Sequence, residues 1–329
     1  MKLNRPLYKN APVTKVSTLA EALRLTEPQL YGITQSASKS YGYRPQKKKD
    51  GTVRDTWDAQ PQLKKVQEFI NRRFLTKVLY PLYLQGGIKD LETPRDYVRN
   101  VAIHSGASCA VALDIANYFP SISSKQVHSV WRNVFRFPEE VAAFLTELTC
   151  KDGAVPQGAK TSSYIANLIF WENECHLVSK LEALGWAYSR LTDDITVSKR
   201  TSPSHEELQK VAGMVMHFIR SHGFSVKREK FQILWQSQPM KLNGILANAH
   251  PALTKTERNS IRGKVRWLSQ VIMTNTPIHS SELNHVMGKL GKLKRLHIRQ
   301  GVLLRMSLPL KLEASTKFIK QETTPEANP

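Results

Sequence analysis

The chain has 329 residues, 41% of them hydrophobic, which is more than one average domain and predicts two or three lobes around a sizeable core. Its 48 Lys and Arg against 27 Asp and Glu give a formal charge of +21, which favours a polyanionic partner over the plainer alternative of a charge that serves only solubility. The chain has three widely spaced cysteines, which argues against a disulfide framework and a zinc site. It has no apolar run long enough to cross a bilayer and no apolar segment behind the N-terminus, which argues against a membrane span and a signal peptide. We therefore expect a cytoplasmic protein without a membrane partner.

One hairpin and one helix stand out before residue 109. Residues 41–46 and 52–57 are extended runs joined by Lys47-Lys48-Lys49-Asp50-Gly51, and Asp-Gly between two such runs predicts a tight turn. Further along, apolar residues recur at helical spacing and predict a helix over residues 61–83.

The middle of the chain alternates strand-like and helical segments. Residues 109–115 are mainly apolar and predict a buried strand, and residues 187–191 and 195–199 predict a hairpin. Helices are predicted over residues 125–135, 139–149, 161–184 and 205–222, and further strands over residues 231–235 and 241–246. This order predicts an α+β fold in which helices cover one face of a sheet.

The C-terminal part differs in composition from the rest. Residues 254–311 are helical in pattern, and residues 288–311 hold seven Lys or Arg and no Asp or Glu, so we expect a separate basic lobe. Residues 314–329 are polar with two prolines and are predicted to be disordered.

Carboxylates occur at two of the predicted strand ends. Asp114 closes the first strand, and Asp193 and Asp194 lie in the turn of the hairpin. Carboxylates brought together repel one another and are costly to bury uncompensated, and a divalent cation relieves both effects. Two such cations permit in-line phosphoryl transfer, so the pattern favours a metal-dependent nucleotidyl transferase. Thr192-Asp193-Asp194 alone would more simply be a structural turn, because turns are rich in Asp.

Six segments, taken in chain order, fit one known pattern. They are residues 47–54 around the basic turn, Asp114 through Ile122, Pro156-Gln157-Gly158 with Ser162, Ser163 and Asn167, residues 188–194, Gly223-Phe224 with Lys230, and Leu242-Asn243-Gly244 through Asn248. In this order the chain, from about Tyr43 to about Gly301, resembles the reverse transcriptases, and among them most of all those of bacterial retrons. Each segment alone is weakly specific, whereas the six in order are highly specific.

The resemblance implies a right-hand polymerase fold with fingers, an antiparallel palm sheet and a helical thumb. Residues 1–108 would form the fingers and N-terminal region, 109–250 the palm with a finger-side insertion near 123–160, and 251–313 the basic thumb, before the tail of 314–329. The implied activity is RNA-directed DNA polymerisation from dNTPs with two Mg²⁺ ions per active site. Asp114, Asp193 and Asp194 would hold these ions, with the Ile115 carbonyl as a further ligand and Asp194 the least direct of the three.

Other matched positions acquire nucleotide-binding roles, each with a plainer alternative. Phe119 would lie under the sugar and exclude a ribose 2′-OH, or be an ordinary core Phe. Gln157 would contact the nucleotide or the template, or be a polar residue at the start of a helix. Lys48 and Arg54 would hold the triphosphate, or belong to a solvated basic turn. Lys230 would neutralise pyrophosphate, or be a surface lysine.

Two further matches concern RNA. Asn100 and His104 have the spacing of a retron element that precedes the first catalytic segment, which implies RNA binding. The C-terminal basic helices resemble a thumb that follows the nucleic-acid backbone, with the candidate contacts Lys289, Lys292, Lys294, Arg295 and Arg299.

Resemblance to the retron group also implies a biological system. The enzyme would copy part of a structured non-coding RNA into single-stranded DNA (msDNA), primed from a 2′-OH of that RNA, and would act with an effector protein in anti-phage defence. The alternatives are a non-retron bacterial defence or group II intron-like reverse transcriptase, and a catalytically inactive RNA-binding scaffold. The chain departs from the family pattern at Leu191, where the family usually has Tyr, and at Asn117, Lys227 and Leu242-Asn243.

Overall fold

The computed structural model of the protein describes residues 4–48, 51–90, 92–274 and 276–308, with the backbone of Ile319 and Lys320. The chain divides into two compact units after Met240. Lys49 and Asp50 of the predicted hairpin turn, and the predicted tail of residues 314–329 apart from that short backbone segment, lie outside the described residues. Within the described ranges, no helix is both long enough and apolar enough to cross a membrane.

The first unit combines helices with a central sheet. Its helices are α1 (Val16–Ala22), α2 (Glu27–Ser36), α3 (Pro61–Arg73), α4 (Tyr97–His104), α5 (Tyr118–Ser121), α6 (Ser124–Asn133), α7 (Glu139–Thr149), α8 (Ser162–Leu168), α9 (Glu174–Ala183) and α10 (His205–Ser221). Its strands are β1 (Leu7–Tyr8), β2 (Tyr41–Tyr43), β3 (Gln46–Lys47), β4 (Val53–Arg54), β5 (Trp57–Ala59), β6 (Val78–Leu79), β7 (Leu84–Gln85), β8 (Cys109–Asp114), β9 (Trp186–Leu191), β10 (Asp194–Lys199) and β11 (Gln232–Trp235).

The central sheet has the strand order β11-β8-β10-β9-β7. Its pairs are antiparallel except for β7 with β9, which is parallel. The predicted strand over residues 109–115 and the predicted hairpin over residues 187–199 are confirmed as β8, β9 and β10. The sequence of β8, Cys-Ala-Val-Ala-Leu-Asp, is buried almost throughout, which suits a strand inside a sheet that is covered on both faces.

Helices cover both faces of this sheet, whereas the sequence predicted them on one. Successive residues of a strand point to opposite faces. Tyr188 and Arg190 of β9 contact Glu174 of α9, whereas Ser189, between them, contacts His104 of α4. The prediction was wrong because the buried face of α4 carries polar side chains, which a search for apolar periodicity passes over.

The helix predicted over residues 61–83 ends earlier than expected. It stops at Arg73, and a short turn over Leu75–Lys77 leads into β6. Val78 and Leu79 have helical spacing in the sequence but pair with β1 instead. Tertiary pairing therefore overrides the local periodicity at this point.

The single long helix predicted over residues 161–184 is two helices, α8 and α9. Near the break, the Ala166 carbonyl accepts a hydrogen bond from the Tyr118 hydroxyl (2.7 Å), and the Asn167 carbonyl accepts one from Arg190 Nη2 (3.1 Å). Buried side-chain donors from other elements thus satisfy carbonyls at the end of α8, so the chain can leave the helix without exposing polar backbone.

The hairpin predicted over residues 41–57 is confirmed in its two arms. Strand β2 pairs with β5 and β3 pairs with β4, all antiparallel. In each pair, one strand precedes the basic turn and the other follows it, as the Asp-Gly signal predicts.

The second unit is mainly helical. Its elements are β12 (Lys241–Leu242), β13 (Ile245–Leu246), α11 (Lys255–Met273), β14 (Ile278–His279), α12 (Ser280–Leu296), α13 (Ile298–Met306) and β15 (Ile319–Lys320). The strand predicted over residues 241–246 is instead a small hairpin, because Asn243 and Gly244 both have positive φ and form its turn. Residues 241–308 hold twelve Lys or Arg against two Glu, so the described part of this unit is strongly basic.

Candidate active site

The turn between β9 and β10 has an unusual backbone conformation. Thr192 has a φ of +60°, a region that a β-branched residue rarely adopts. Arg190 Nη1 donates a hydrogen bond to the Thr192 carbonyl (2.9 Å), and Thr192 N–H donates one to the Gln85 carbonyl of β7 (3.2 Å). Ile115 N–H donates to the Asp193 carbonyl (3.0 Å). Neighbouring elements on both sides therefore fix this turn.

The three predicted carboxylates meet beside the turn. Asp114, 5% exposed at the end of β8, lies directly across the β8–β10 pair from Asp194. Burial raises the pKa of the Asp193 carboxyl, and repulsion from Asp114 raises it further. Burial also raises the pKa of Asp194, as does repulsion from Asp193 and Asp114. A largely buried cluster with this excess of negative charge favours the approach of cations.

Lys230 contributes a cation to the cluster, since its Nζ forms an ion pair with the Asp114 carboxylate. Burial alone would lower the pKa of Lys230, but the bond to Asp114 raises it overall. Among the described residues, no three His, Cys, Asp or Glu side chains are grouped so as to hold one metal ion together. The donor chemistry nevertheless fits a hard divalent ion, because oxygen ligands are the ones such ions prefer and a cation would stabilise these carboxylates in ionised form.

A cavity of about 620 Å³ opens beside the carboxylates. Asp194 belongs to the carboxylate cluster but not to the cavity wall. Every other residue that the sequence assigns to metal or nucleotide lines it: Lys48, Arg54, Asp114, Ile115, Phe119, Gln157, Asp193 and Lys230. These residues come from separate parts of the chain, so the fold brings them to one place, while the role of each stays a prediction.

The hairpin of residues 41–57 contacts the loop before α8 through Trp57, and this contact holds the hairpin beside the cavity. Trp57 N–H donates a hydrogen bond to the Gln157 carbonyl (2.8 Å). Gly158 has a φ of +111°, and a Cβ there would lie 2.9 Å from the Trp57 carbonyl oxygen, so a glycine is needed for this approach. Lys151 Nζ lies 4.2 Å from the centroid of a Trp57 ring, a cation–π contact that adds to the docking.

The short helix α5 presents Phe119 to the cavity. The hydroxyl of the buried Tyr118 donates to the Ala166 carbonyl (2.7 Å) and anchors α5 on α8. The neighbouring Phe119 is only partly buried and lies in the cavity wall. This position favours the steric-gate interpretation over an ordinary core Phe, because a core residue would be enclosed on all sides.

Some residues of the cavity wall escaped the sequence reasoning. Asp55, Arg228 and Glu229 line it as well. Arg228 lies in the short helical turn Arg228–Lys230. Just before this turn, the Lys227 N–H donates a hydrogen bond to the Asp114 carbonyl (2.8 Å), which holds the turn beside β8. The available signal is the charged run Lys227-Arg228-Glu229-Lys230, in which the sequence pattern assigns a nucleotide-binding role only to Lys230.

Arg190 and Glu174 form a buried ion pair behind the turn. Arg190 Nε and Nη2 donate to the two Glu174 carboxylate oxygens at 2.6 and 2.8 Å, and the two side chains are 0% and 2% exposed. The Tyr188 hydroxyl also donates to Glu174 (2.8 Å). Burial would lower the pKa of Arg190, but its attraction to Glu174 raises it overall. Because Arg190 also holds the Thr192 carbonyl, this pair supports the turn that carries Asp193 and Asp194 from one face of the sheet.

Asn100 and His104 are enclosed in the protein, contrary to the prediction that they bind RNA. They are 0% and 1% exposed. The ring nitrogens of His104 lie 2.8 Å from Ser198 Oγ and 2.7 Å from Ser189 Oγ, and the Ser189 hydroxyl donates to Asn100 Oδ1 (2.7 Å). Side chains that are occupied and enclosed in this way do not contact an external RNA in this conformation, so the prediction is corrected: the two residues face the β9–β10 hairpin.

The predicted thumb cations lie in the second unit, on α12 and α13. Lys289 is partly buried, and Lys292 lies 4.0 Å from Glu257, so part of its charge is already balanced. The exposed ones are Lys294, Arg295 and Arg299. Their contact with RNA stays a prediction.

Comparison with known proteins is consistent with this geometry. Residues 46–246 match the family described as reverse transcriptase (RNA-dependent DNA polymerase). The retron Se72 reverse transcriptase of Salmonella heidelberg (strain 579083-10) is 34% identical, over 93% of this chain and 82% of that protein. The retron Ec48 and Ec86 reverse transcriptases of Escherichia coli are 29% and 23% identical, over 87% and 83% of this chain and 73% and 82% of theirs.

Proposed function

The chain belongs to the retron-type reverse transcriptases, and from that premise we propose that it copies part of a structured partner RNA into single-stranded DNA (msDNA) from a 2′-hydroxyl of that RNA. As a member of this family it is an RNA-directed DNA polymerase with a right-hand fold. One observation carries the proposal: carboxylates, cations and an aromatic ring assigned from separate parts of the sequence line a single cavity.

Each part of the cavity wall suits one part of a deoxynucleotide. Lys48 and Arg54 provide cationic donors for the triphosphate oxygens. The ring of Phe119 lies under the sugar and excludes a 2′-hydroxyl, and Gln157 contacts the incoming nucleotide or the template. Lys230 neutralises the departing pyrophosphate, and its Nζ already forms an ion pair with the Asp114 carboxylate.

Divalent ions complete the proposed site, and we propose two Mg²⁺. Asp114, Asp193 and Asp194, with the Ile115 carbonyl, are the groups that would hold them. When bound, such ions neutralise charge on the attacking and leaving oxygens. The protein contributes oxygen donors that the sheet register and the fixed turn already hold close together.

The proposed partners are a structured non-coding RNA that supplies template and primer, the dNTPs, and an effector protein in anti-phage defence. The basic second unit and the overall charge of +21 support an RNA partner. Similarity to retron enzymes supports the msDNA product and the defence role. The three cysteines are unpaired and buried, which suits the reducing cytoplasm that we propose as the location.

The test is synthesis of DNA by the purified protein with its co-encoded RNA, dNTPs and Mg²⁺. We expect RNase-resistant single-stranded DNA that remains joined to RNA. Asp193→Asn/Asp194→Asn should abolish synthesis, whereas Asp152→Asn, at an exposed aspartate outside the cavity, should leave it intact. DNA synthesis by the double variant at the wild-type level would overturn the metal assignment.

The same preparation tests the alternatives. A retron enzyme should co-purify with one dominant structured transcript, so a mixed RNA population with normal DNA synthesis would favour a non-retron or intron-like system. Tight RNA binding without any nucleotide incorporation by the wild-type protein would favour an inactive scaffold.

A further inference from the structure

Asn100 and His104 belong to a buried hydrogen-bond chain whose direction can be assigned. The Ser189 hydroxyl has one hydrogen and donates it to Asn100 Oδ1 (2.7 Å). Its contact with His104 Nε2 (2.7 Å) must then be one in which Nε2–H donates. Burial lowers the pKa of His104 to about 3, so the ring is neutral and Nδ1 accepts from the Ser198 hydroxyl (2.8 Å). The chain therefore runs from Ser198 through His104 and Ser189 to Asn100.

This chain joins one helix to both strands of the catalytic hairpin. Asn100 and His104 lie one turn apart on α4, whereas Ser189 is on β9 and Ser198 on β10. All four side chains are at most 2% exposed, so water cannot replace a lost partner. A shift of α4 against the hairpin would break these three hydrogen bonds, and a buried polar network of this kind specifies position more narrowly than apolar packing does.

The hairpin is thereby held from both faces. Ser189 carries the contact to α4, and its neighbour Arg190 carries the contact to Glu174 on the opposite face. Arg190 in turn holds the Thr192 carbonyl, one residue before Asp193. A shift of β9 against α4 would therefore move the turn that presents the catalytic carboxylates.

We propose that Asn100 and His104 are positioning residues for polymerisation, which fix the β9–β10 hairpin and through it Asp193 and Asp194, and that they do not read the RNA. The inference rests on the proposed function, because nucleotide incorporation is its readout. It predicts that their loss slows the chemical step on every substrate, because reacting groups displaced by even about 1 Å can slow a reaction a hundredfold.

The test uses Asn100→Leu and His104→Leu, with His176→Leu as the matched control at an exposed histidine of α9. Single-turnover incorporation is measured on the co-encoded RNA and on a plain primer–template without retron sequence, and RNA affinity is measured separately. The first two variants should lower the maximal rate on both substrates by the same factor, between about tenfold and a hundredfold. RNA affinity should not change, and neither should the burst amplitude, which measures the fraction of active molecules. The His176→Leu control should behave as wild type.

Two results would overturn the inference. Weaker RNA binding with a normal rate on the plain primer–template would mean that the pair reads RNA. A reduced burst amplitude with a normal rate would mean that it only stabilises the fold. Should either Leu variant not fold, Ser198→Ala, which removes only the first donor of the hydrogen-bond chain, is measured in the same way and decides between these outcomes. A wild-type protein that extends neither substrate would instead refute the proposed function itself.

Discussion

Glu174→Gln tests how much the buried Arg190–Glu174 ion pair, which lies behind the turn before Asp193, contributes to stability. The change keeps the side-chain volume but leaves the Arg190 charge without its counter-ion, at a place where both side chains are almost fully buried (0% and 2% exposed). Removing one partner of a buried pair costs about 3–5 kcal/mol. Arg190 keeps its bonds to the Asn167 and Thr192 carbonyls (3.1 and 2.9 Å), so we expect the lower end, about 3 kcal/mol. That is a large part of a typical total stability of about 5–15 kcal/mol.

The assay is urea unfolding of wild type and variant, with the free energy of unfolding obtained from midpoint and slope. Glu68→Gln is the matched control, since Glu68 lies 3.4 Å from Lys160 but the two are 56% and 46% exposed, so its loss should cost less than about 1 kcal/mol. A double variant, Glu174→Leu/Arg190→Met, should be more stable than Glu174→Gln because no buried charge remains. The reasoning is refuted if Glu174→Gln costs no more than the control, or if the double variant is the less stable of the two.

Three further predictions test other parts of the structure. Phe119→Val should raise the ratio of ribonucleotide to deoxynucleotide incorporation, measured as kcat/KM, and an unchanged ratio would exclude a steric gate. Gly301→Ala should lower the melting temperature, because a Cβ there would clash with the Lys294 backbone, whereas Gly291→Ala, which meets nothing within 4 Å, should stabilise its helix by about 0.5–1 kcal/mol. Burial lowers the pKa of His104 in the folded protein to about 3, below its ordinary 6.5, so the unfolded chain takes up the proton first as the pH falls. The free energy of unfolding should then fall by up to about 1.4 kcal/mol per pH unit below pH 6.5 through this group. Urea unfolding of His104→Leu should therefore show a smaller dependence of the unfolding free energy on pH than the wild type does. An equal pH dependence in the two proteins would contradict a neutral, buried His104.

The strands that carry the carboxylates were predictable because their signals are local. An apolar run that ends in Asp114 and two short runs around Asp193 and Asp194 need no knowledge of distant residues, and the structure has them as β8, β9 and β10. Strand β7 has no such signal, since it is only two residues long and is defined by its pairing with Arg190 and Leu191. The break between α8 and α9 was equally invisible, because the side chains that bond to the end of α8 come from other elements.

Asn100 and His104 show why residue type and spacing do not decide between surface and interior. A polar pair one helical turn apart suits an RNA-binding face and a buried network equally well. The partners that decide the matter, Ser189 and Ser198, lie 85 and 94 residues further along the chain from His104. Family resemblance placed the pair near the catalytic segments, and only the fold shows that it faces inward.

Leu191, which stands where the family usually has Tyr, has to be considered together with Gly86. A Cβ at Gly86 would lie 2.5 Å from Leu191 Cδ1, and Gly86 has a φ of +77°, so the Leu191 side chain packs directly against glycine backbone beside β7. The adjacent Gln85 carbonyl accepts the Thr192 N–H, so the same segment holds both the side chain and the backbone of the turn. A larger residue at 191 or any Cβ at 86 would move this segment against the turn. The surface beside the carboxylates is therefore set by a pair of positions, Gly86 and Leu191, and a change at one of them has to be matched at the other.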